Sequence, residues 1–271
     1  MQDKYTSRLG VYQMSFEFFE ISAESVLAQP TQADDVRDRI KAGGIGVVRQ
    51  FLDRNFAIEI REYLTRIGQN SLPTYEPIEV GRPNFHRLNL DDERAHVGGC
   101  FHQFVFYPWN QDVFNLFQVF DDLFRLKNLI SDNPADRFLG RHGQDGVVSR
   151  LAFQFYPSGR GFLNRHQDPY GDHQLTVPTV CLSEKSQDFH SGGAFIEDAD
   201  GTKHYLDDKT AGGDVVFFDA RLVHGVEIVD PLSVQPWLDF VGRWSCLIAT
   251  NKVNGNSNIL NAVDLEKKQQ L

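Results

Sequence analysis

The spacing of hydrophobic and polar positions changes character part-way along the chain. In "TQADDVRDRIKAG" Ala33, Val36 and Ile40 recur at helical spacing and the run stops at Gly43, after which "GIGVVRQF" reads as a strand. "LDRNFAIEIREYLTRIG" predicts a second helix, with Asp53 as its N-cap and Gly68 as its stop. A third helix is expected over "NQDVFNLFQVFDDLFRLKNLI", where Val113, Phe117, Phe120 and Phe124 share one face as core packing. From about residue 145 the pattern shortens to strands and turns. "GVVSRLAFQFY", "QLTVPTVCLS", "GGAFIED", "TKHYLD", "GDVVFFD", "HGVEIV" and "WLDFVGRWSCLIAT" follow one another, with Gly-Gly pairs at 192–193 and 212–213 between them. Short strands without helical crossovers predict a β-sandwich or barrel. The expected organisation is one domain over 1–271: a helix-rich extension (1–145) packed on a β core (146–253), and a C-terminal tail (254–271).

Composition narrows the function classes. The 271 residues are 41% hydrophobic with 22 Phe, enough for a substantial core. A formal net charge of −10 argues against a nucleic-acid or anionic-membrane partner. The opening "MQDKYTSRLG" has no leader pattern and no apolar stretch approaches membrane-spanning length, so a cytoplasmic protein is expected. Cys100, Cys181 and Cys246 are odd in number and widely spaced, and read as reduced, buried residues.

The chemistry concentrates in "RHQDPYGDHQLTVPTVCLSE". His166 and Asp168 stand at i and i+2, so on an extended strand both side chains project to one side, roughly 6.5 Å apart along the chain. A third donor is available at His224, which follows the apolar run of "GGDVVFFDARLVHGVEIV". Two imidazoles and a carboxylate on one face of a metal suit non-haem Fe(II) and leave three adjacent positions open. "FVGRWSCLIAT" places Arg243 and Ser245 at i and i+2 in the last strand, a guanidinium fork beside a hydroxyl. A lone strand arginine is commonly exposed or paired with an aspartate; beside the three metal donors, Arg243 reads as a carboxylate receptor.

These segments, in this order, resemble the Fe(II)- and 2-oxoglutarate-dependent oxygenases, closest to their prolyl-hydroxylase-like branch. The resemblance runs from about residue 151 to residue 253, through "FYPSGRGFLNRHQD", "GGAFIED", "GDVVFFDARLVHGVEIV" and "RWS". It implies a mainly β fold with flanking helices around a double-stranded β-helix core of jelly-roll or cupin-like type. It implies Fe(II) on His166, Asp168 and His224, 2-oxoglutarate as co-substrate with its far carboxylate on Arg243 and Ser245, Tyr156 lining that pocket, and O₂ as oxidant. The implied reaction is hydroxylation of a small molecule such as an amino acid or a natural-product intermediate, with release of succinate and CO₂. A peptidyl hydroxylase and a non-catalytic metal-binding barrel are the alternatives.

Two departures from the family pattern stand out. Arg243 follows His224 by 19 positions, a long interval with "DPLSVQPWLD" inserted, which makes Arg221 a rival anchor. "TVPTVCLS" has Cys181 and Leu182 where some relatives supply a tyrosine to the co-substrate. The presence of Asp168 argues against halogenation, whose enzymes replace that carboxylate with a small residue. His86, Arg87, His102 and Trp109, with Arg221, are candidates to line the substrate mouth, with packing or surface roles equally open for each. His173, His190 and His204 read as solvated turn or surface histidines.

Overall fold

In a computed structural model, described for residues 16–142, 146–253 and 260–267, the first half of the chain does not stay outside the barrel. It runs through β1 (Phe18–Glu20), α1 (Ala23–Ala28), α2 (Gln32–Lys41), β2 (Ile45–Val48), α3 (Arg54–Asn70), β3 (Phe85–Leu90), β4 (Gly99–Phe106), α4 (Leu116–Val119) and α5 (Asp121–Ile130). The second half supplies β5 (Val147–Pro157), β6 (Phe162–Gln167), β7 (Thr179–Cys181), β8 (Gly193–Glu197), β9 (Lys203–Tyr205), β10 (Val215–Phe217), β11 (His224–Glu227), β12 (Gly242–Lys252) and β13 (Val263–Asp264).

All thirteen strands join one mixed sheet in the order β1-β2-β10-β7-β12-β5-β4-β6-β11-β8-β9, with β3 on β4 and β13 on β6. The sheet curls until the β6-β11-β8 half faces the β7-β12-β5-β4 half, the jelly-roll arrangement expected of a double-stranded β-helix. The expected boundary at 145 is therefore corrected. β2 pairs with β10, and β4 pairs with both β5 and β6, so strands from the first half complete the core sheet. The signal of β3 and β4 is weak because "NFHRLNL" and "CFHQFVF" carry polar residues on both buried faces, which breaks the apolar alternation that marks a strand. The expected tail is corrected too: β13 lies antiparallel to β6, with Asp264 opposite His166.

Alternation along the central strands sorts their side chains between two environments. Leu151, Phe153 and Phe155 of β5, with Trp244, Cys246 and Ile248 of β12, pack against Val36, Ile40, Leu64, Phe120 and Phe124 from the helices. Arg150, Gln154 and Tyr156 of β5 point the other way, into the barrel.

The helices follow their sequence signals with two exceptions. In α2 Ala33, Val36 and Ile40 are buried, and Gly43 takes φ +93 just beyond it. The Asp53 carboxylate caps α3 by accepting from the Asn55 and Phe56 N–H groups. Gly68 is not a stop; α3 continues to Asn70, and a Cβ at Gly68 would sit 2.2 Å from the Phe240 ring. The helix expected over 110–130 is split into α4 and α5 and starts only after Asn115, whose φ is +52. Asp112 causes the delay: its carboxylate accepts from the Phe114 and Leu116 N–H groups, a local turn that competes with helix, and Val113 is left 69% exposed. All three cysteines are free and buried. Among the described residues no helix is long and apolar enough to cross a membrane.

Candidate metal centre and its cavity

β6 and β11 run antiparallel with His166 directly opposite His224, so the pairing register itself brings the two imidazoles together. Asp168, just past the end of β6, is held by its own N–H donating to the Ala220 carbonyl at 2.9 Å. His166 Nε2 lies 3.6 Å from one Asp168 oxygen and His224 Nε2 lies 3.4 Å from the other. The orientation of both rings is fixed from behind. Nδ1 of His166 faces the Asn164 carbonyl at 2.8 Å and Nδ1 of His224 faces the Leu222 carbonyl at 2.9 Å. A carbonyl only accepts, so each Nδ1 carries the proton and each Nε2 lone pair points to the common centre, the tautomer a metal requires.

Burial pushes the Asp168 carboxyl upward, but the two histidines outweigh it and hold the group far below the ordinary carboxylate range. Burial lowers His224 while Asp168 raises it, and the carboxylate prevails. One donor atom from each of the three residues falls within 4.8 Å of the others, a set that fits a single first-row divalent ion.

The triad borders a cavity of about 630 Å³ between the two halves of the sheet. Its inner end is walled by Tyr156, Leu206, Phe195 and Leu247. The lining also includes Arg87, Arg150 and Lys252, with residues 75–78 and 260–262.

Arg243 and Ser245 are buried beneath the inner end rather than on its wall. Arg243 donates from Nε and Nη2 to the two oxygens of Asp207, at 2.8 and 3.0 Å, and from Nη1 to Ser245 Oγ at 3.2 Å. Asp207 also accepts from the Ala194 N–H at 2.6 Å, and Gly193 makes that approach possible: a Cβ there, at φ +103, would stand 2.4 Å from the carboxylate. No local pattern points to Asp207, because the partner lies 36 positions away across the fold. The Tyr156 ring lies 5.8 Å below the guanidinium, and its hydroxyl donates to Gln154 Oε1 at 2.9 Å. Cys181 is buried, with its thiol 3.4 Å from Thr210 Oγ1.

Of the candidates for the substrate mouth, Arg87 alone reaches the cavity. His86 and His102 face the helix-side core, their rings stacked at 5.1 Å with His86 Nε2 2.9 Å from His102 Nδ1. They sit on alternate positions to the cavity-facing Arg87 and Gln103, so strand parity sends them to the other face. Trp109 stacks on Tyr107 and donates to the Arg82 carbonyl at 2.7 Å, away from the cavity. Arg221 is half-exposed, forms a fork-to-fork pair with Asp219 and covers the Tyr170 ring. His173 is buried rather than solvated, whereas His190 is exposed and His204 half-buried against Asp198 at 2.8 Å. Arg150, Gln103 and Gln154 escape the sequence reading. Their signal is present in "SRLAFQFY", where polar residues recur at every second or fourth position of an otherwise apolar strand.

No family model matches the sequence, and no curated protein sequence matches it significantly. Solved structures do. A prolyl-4-hydroxylase from Pseudomonas putida matches with a TM-score of 0.50 at 16% identity, over 82% of this chain and 100% of that one. The chain has the prolyl-hydroxylase fold. Also similar are a C-terminally truncated protein of Neurospora crassa solved in apo form (TM-score 0.49, 14% identity, 92% of this chain and 100% of that one) and a prolyl hydroxylase from Trichoplax adhaerens solved with a hypoxia inducible factor peptide (TM-score 0.46, 15% identity, 84% and 92%). In this prolyl-hydroxylase fold His166, Asp168 and His224 stand on the inner surface of the barrel, beside the 630 Å³ cavity.

Proposed function

We propose that the protein is an Fe(II)- and 2-oxoglutarate-dependent oxygenase that hydroxylates an unactivated C–H bond of a small molecule. The observation that carries this reading is the donor set: two imidazole Nε2 atoms oriented by backbone carbonyls and one carboxylate, converging at the side of the cavity. Iron held there, with 2-oxoglutarate and O₂, supplies the oxidising chemistry and releases succinate and CO₂.

The chain's own residues position and exclude. His166, Asp168 and His224 hold the ion from one side and leave its cavity side open. Arg243 has five N–H groups, of which three are committed to Asp207 and Ser245, so two remain by count for a co-substrate carboxylate. Its charge is partly offset by Asp207, which suits a buried receptor that must also be tolerated when empty. Arg221 is a poor rival, since its side chain is about half-exposed over the Tyr170 ring, whereas Arg243 is buried directly behind Tyr156 of the cavity wall. Apolar walls at Phe195, Leu206 and Leu247 keep water from the inner end. The cavity volume of about 630 Å³ lies in the range of small-molecule sites, which supports a small molecule over a peptide.

Adding Fe(II) and then 2-oxoglutarate without O₂ should produce a metal-to-ligand charge-transfer band. Admitting O₂ should convert 2-oxoglutarate to succinate, faster when a metabolite panel contains the substrate. Absence of both the band and succinate in wild type, or their persistence in His166→Ala and His224→Ala, overturns the reading.

A further inference from the structure

The cavity also holds two guanidinium groups that the metal and co-substrate roles leave unused. Arg150 sits on β5 six residues before Tyr156, roughly 20 Å along the strand. Because β12 pairs with β5, Arg243 is level with Tyr156 while Arg150 is level with Ala249, so the two basic centres occupy opposite ends of the barrel.

Arg150 is only 8% exposed, and its hydrogen-bond partner is the neutral side-chain oxygen of Asn251. Arg87 is half-buried, but its Nε is fully buried and has no hydrogen-bond partner among the described residues. Its face rests on the Tyr75 ring at 5.0 Å. Among the described residues no carboxylate lies within ion-pair distance of either group. Arg94, which also borders the cavity, is by contrast already paired with Asp92 at 2.7 Å. Burial, with Arg87 second, pulls Arg150 down to about 10, so it stays charged at neutral pH. Two desolvated like charges on the wall of one cavity, near enough for Arg87 to pull Arg150 down, are costly, and a fold with a net charge of −10 has acidic residues in excess to neutralise them.

The neighbouring polar atoms are also left open towards the cavity. β3, β4 and β5 align Arg87 with Gln103 and Gln103 with Gln154, a polar row across the inner face of the sheet. Gln103 Oε1 is buried without a partner. The arrangement is a preformed receptor for an oxyanion plus an adjacent donor-bearing group, on the mouth side of the metal donors.

We propose that Arg87 and Arg150 together bind the carboxylate or phosphate of the substrate, so that the protein acts on small anionic molecules. This rests on the oxygenase reading, and it extends it by naming the substrate's chemical class and its anchor. Gln103 lies beside the anchor and accepts a hydrogen bond from a donor on the same molecule.

The test uses the full chain loaded with Mn(II) and 2-oxoglutarate in the absence of O₂, titrated with phenylacetate, phenyl phosphate and the uncharged phenylacetamide. At least one of the two anions should bind at least tenfold more tightly than the amide, and which of them wins separates a carboxylate from a phosphate substrate. Arg87→Gln and Arg150→Gln should each weaken that anion at least tenfold while Mn(II) and 2-oxoglutarate affinities stay within about twofold. In parallel, Arg150→Met should raise the thermal midpoint of the ligand-free protein, because it removes an unpaired buried charge. Failure of both anions to bind wild type at millimolar concentration, equal binding of the amide, or a lowered midpoint for Arg150→Met overturns the proposal. Loss of 2-oxoglutarate rather than anion binding in the two glutamine variants also overturns it and moves the co-substrate to these arginines. If wild type binds neither Mn(II) nor 2-oxoglutarate, the oxygenase reading itself fails, a result distinct from all of these.

Discussion

Arg243 and Asp207 form a two-pronged buried pair, Nε to one oxygen at 2.8 Å and Nη2 to the other at 3.0 Å, below the inner end of the barrel. The guanidinium is thereby fixed in one orientation before any ligand arrives, with Nη1 also donating to Ser245 Oγ and the Tyr156 ring lying 5.8 Å from the guanidinium. A receptor pre-organised in this way loses little freedom on binding.

Replacing Arg243 with Lys keeps the charge but removes the planar fork. Isothermal titration of the Mn(II)-loaded protein should show 2-oxoglutarate affinity reduced ten- to a hundredfold, about 1.5–3 kcal/mol, with Mn(II) affinity little changed. Arg221→Lys, at the exposed Asp219 pair, should leave both affinities as they are. The reverse pattern would move the anchor to Arg221.

On the proposed reading, His166, Asp168 and His224 share one metal-loading equilibrium. Saturating Mn(II), at about 100 times its dissociation constant, should stabilise wild type by ~2.7 kcal/mol through mass action, seen as a raised thermal midpoint. Asp168→Ala and His224→Ala should lose that metal-dependent rise. Retention of the full rise in either would place the ion elsewhere.

His86 and His102 give the fold an acid limit. Burial holds both down at about 4, below the 6.5 of an unfolded chain. Between pH 6.5 and 4 the unfolded state therefore binds more protons, so stability is full above this window and falls as pH drops through it. Chemical denaturation at a series of pH values should show this decline, and the double variant His86→Phe with His102→Phe should flatten it. An unchanged slope would assign the acid sensitivity to other groups.

Asp264 ties the C-terminal strand to the metal strand. Its carboxylate accepts from the Gly98 N–H at 2.7 Å, from Asn164 Nδ2 at 3.1 Å, and from the Glu266 and Lys267 N–H groups. Asp264→Ala leaves these donors unpaired and should cost about 1–3 kcal/mol in denaturant unfolding. Because Asp264 stands opposite His166, Mn(II) affinity should fall as well. A variant with wild-type stability and metal affinity would show that β13 is incidental to the site.

The local geometry of the chemistry was legible in the order of residues alone. His166 and Asp168 project together because a strand repeats every two residues, and the helix at 32–41 followed directly from Ala33, Val36 and Ile40. Four ordered segments also carried the jelly-roll core, since each reads as a short strand bounded by turn residues. Whatever depends on pairing across distance came from the folded arrangement instead. Register put His224 opposite His166, and parity on β3 and β4 sent Arg87 into the cavity but His86 and His102 into the core. Asp207 reached Arg243 only because the fold closes 36 positions of chain between them. β3 and β4 were hidden for the same reason: Arg87, Asn89 and Gln103 face the cavity. A one-dimensional pattern cannot distinguish that face from solvent, because burial is a property of what the rest of the chain places above it.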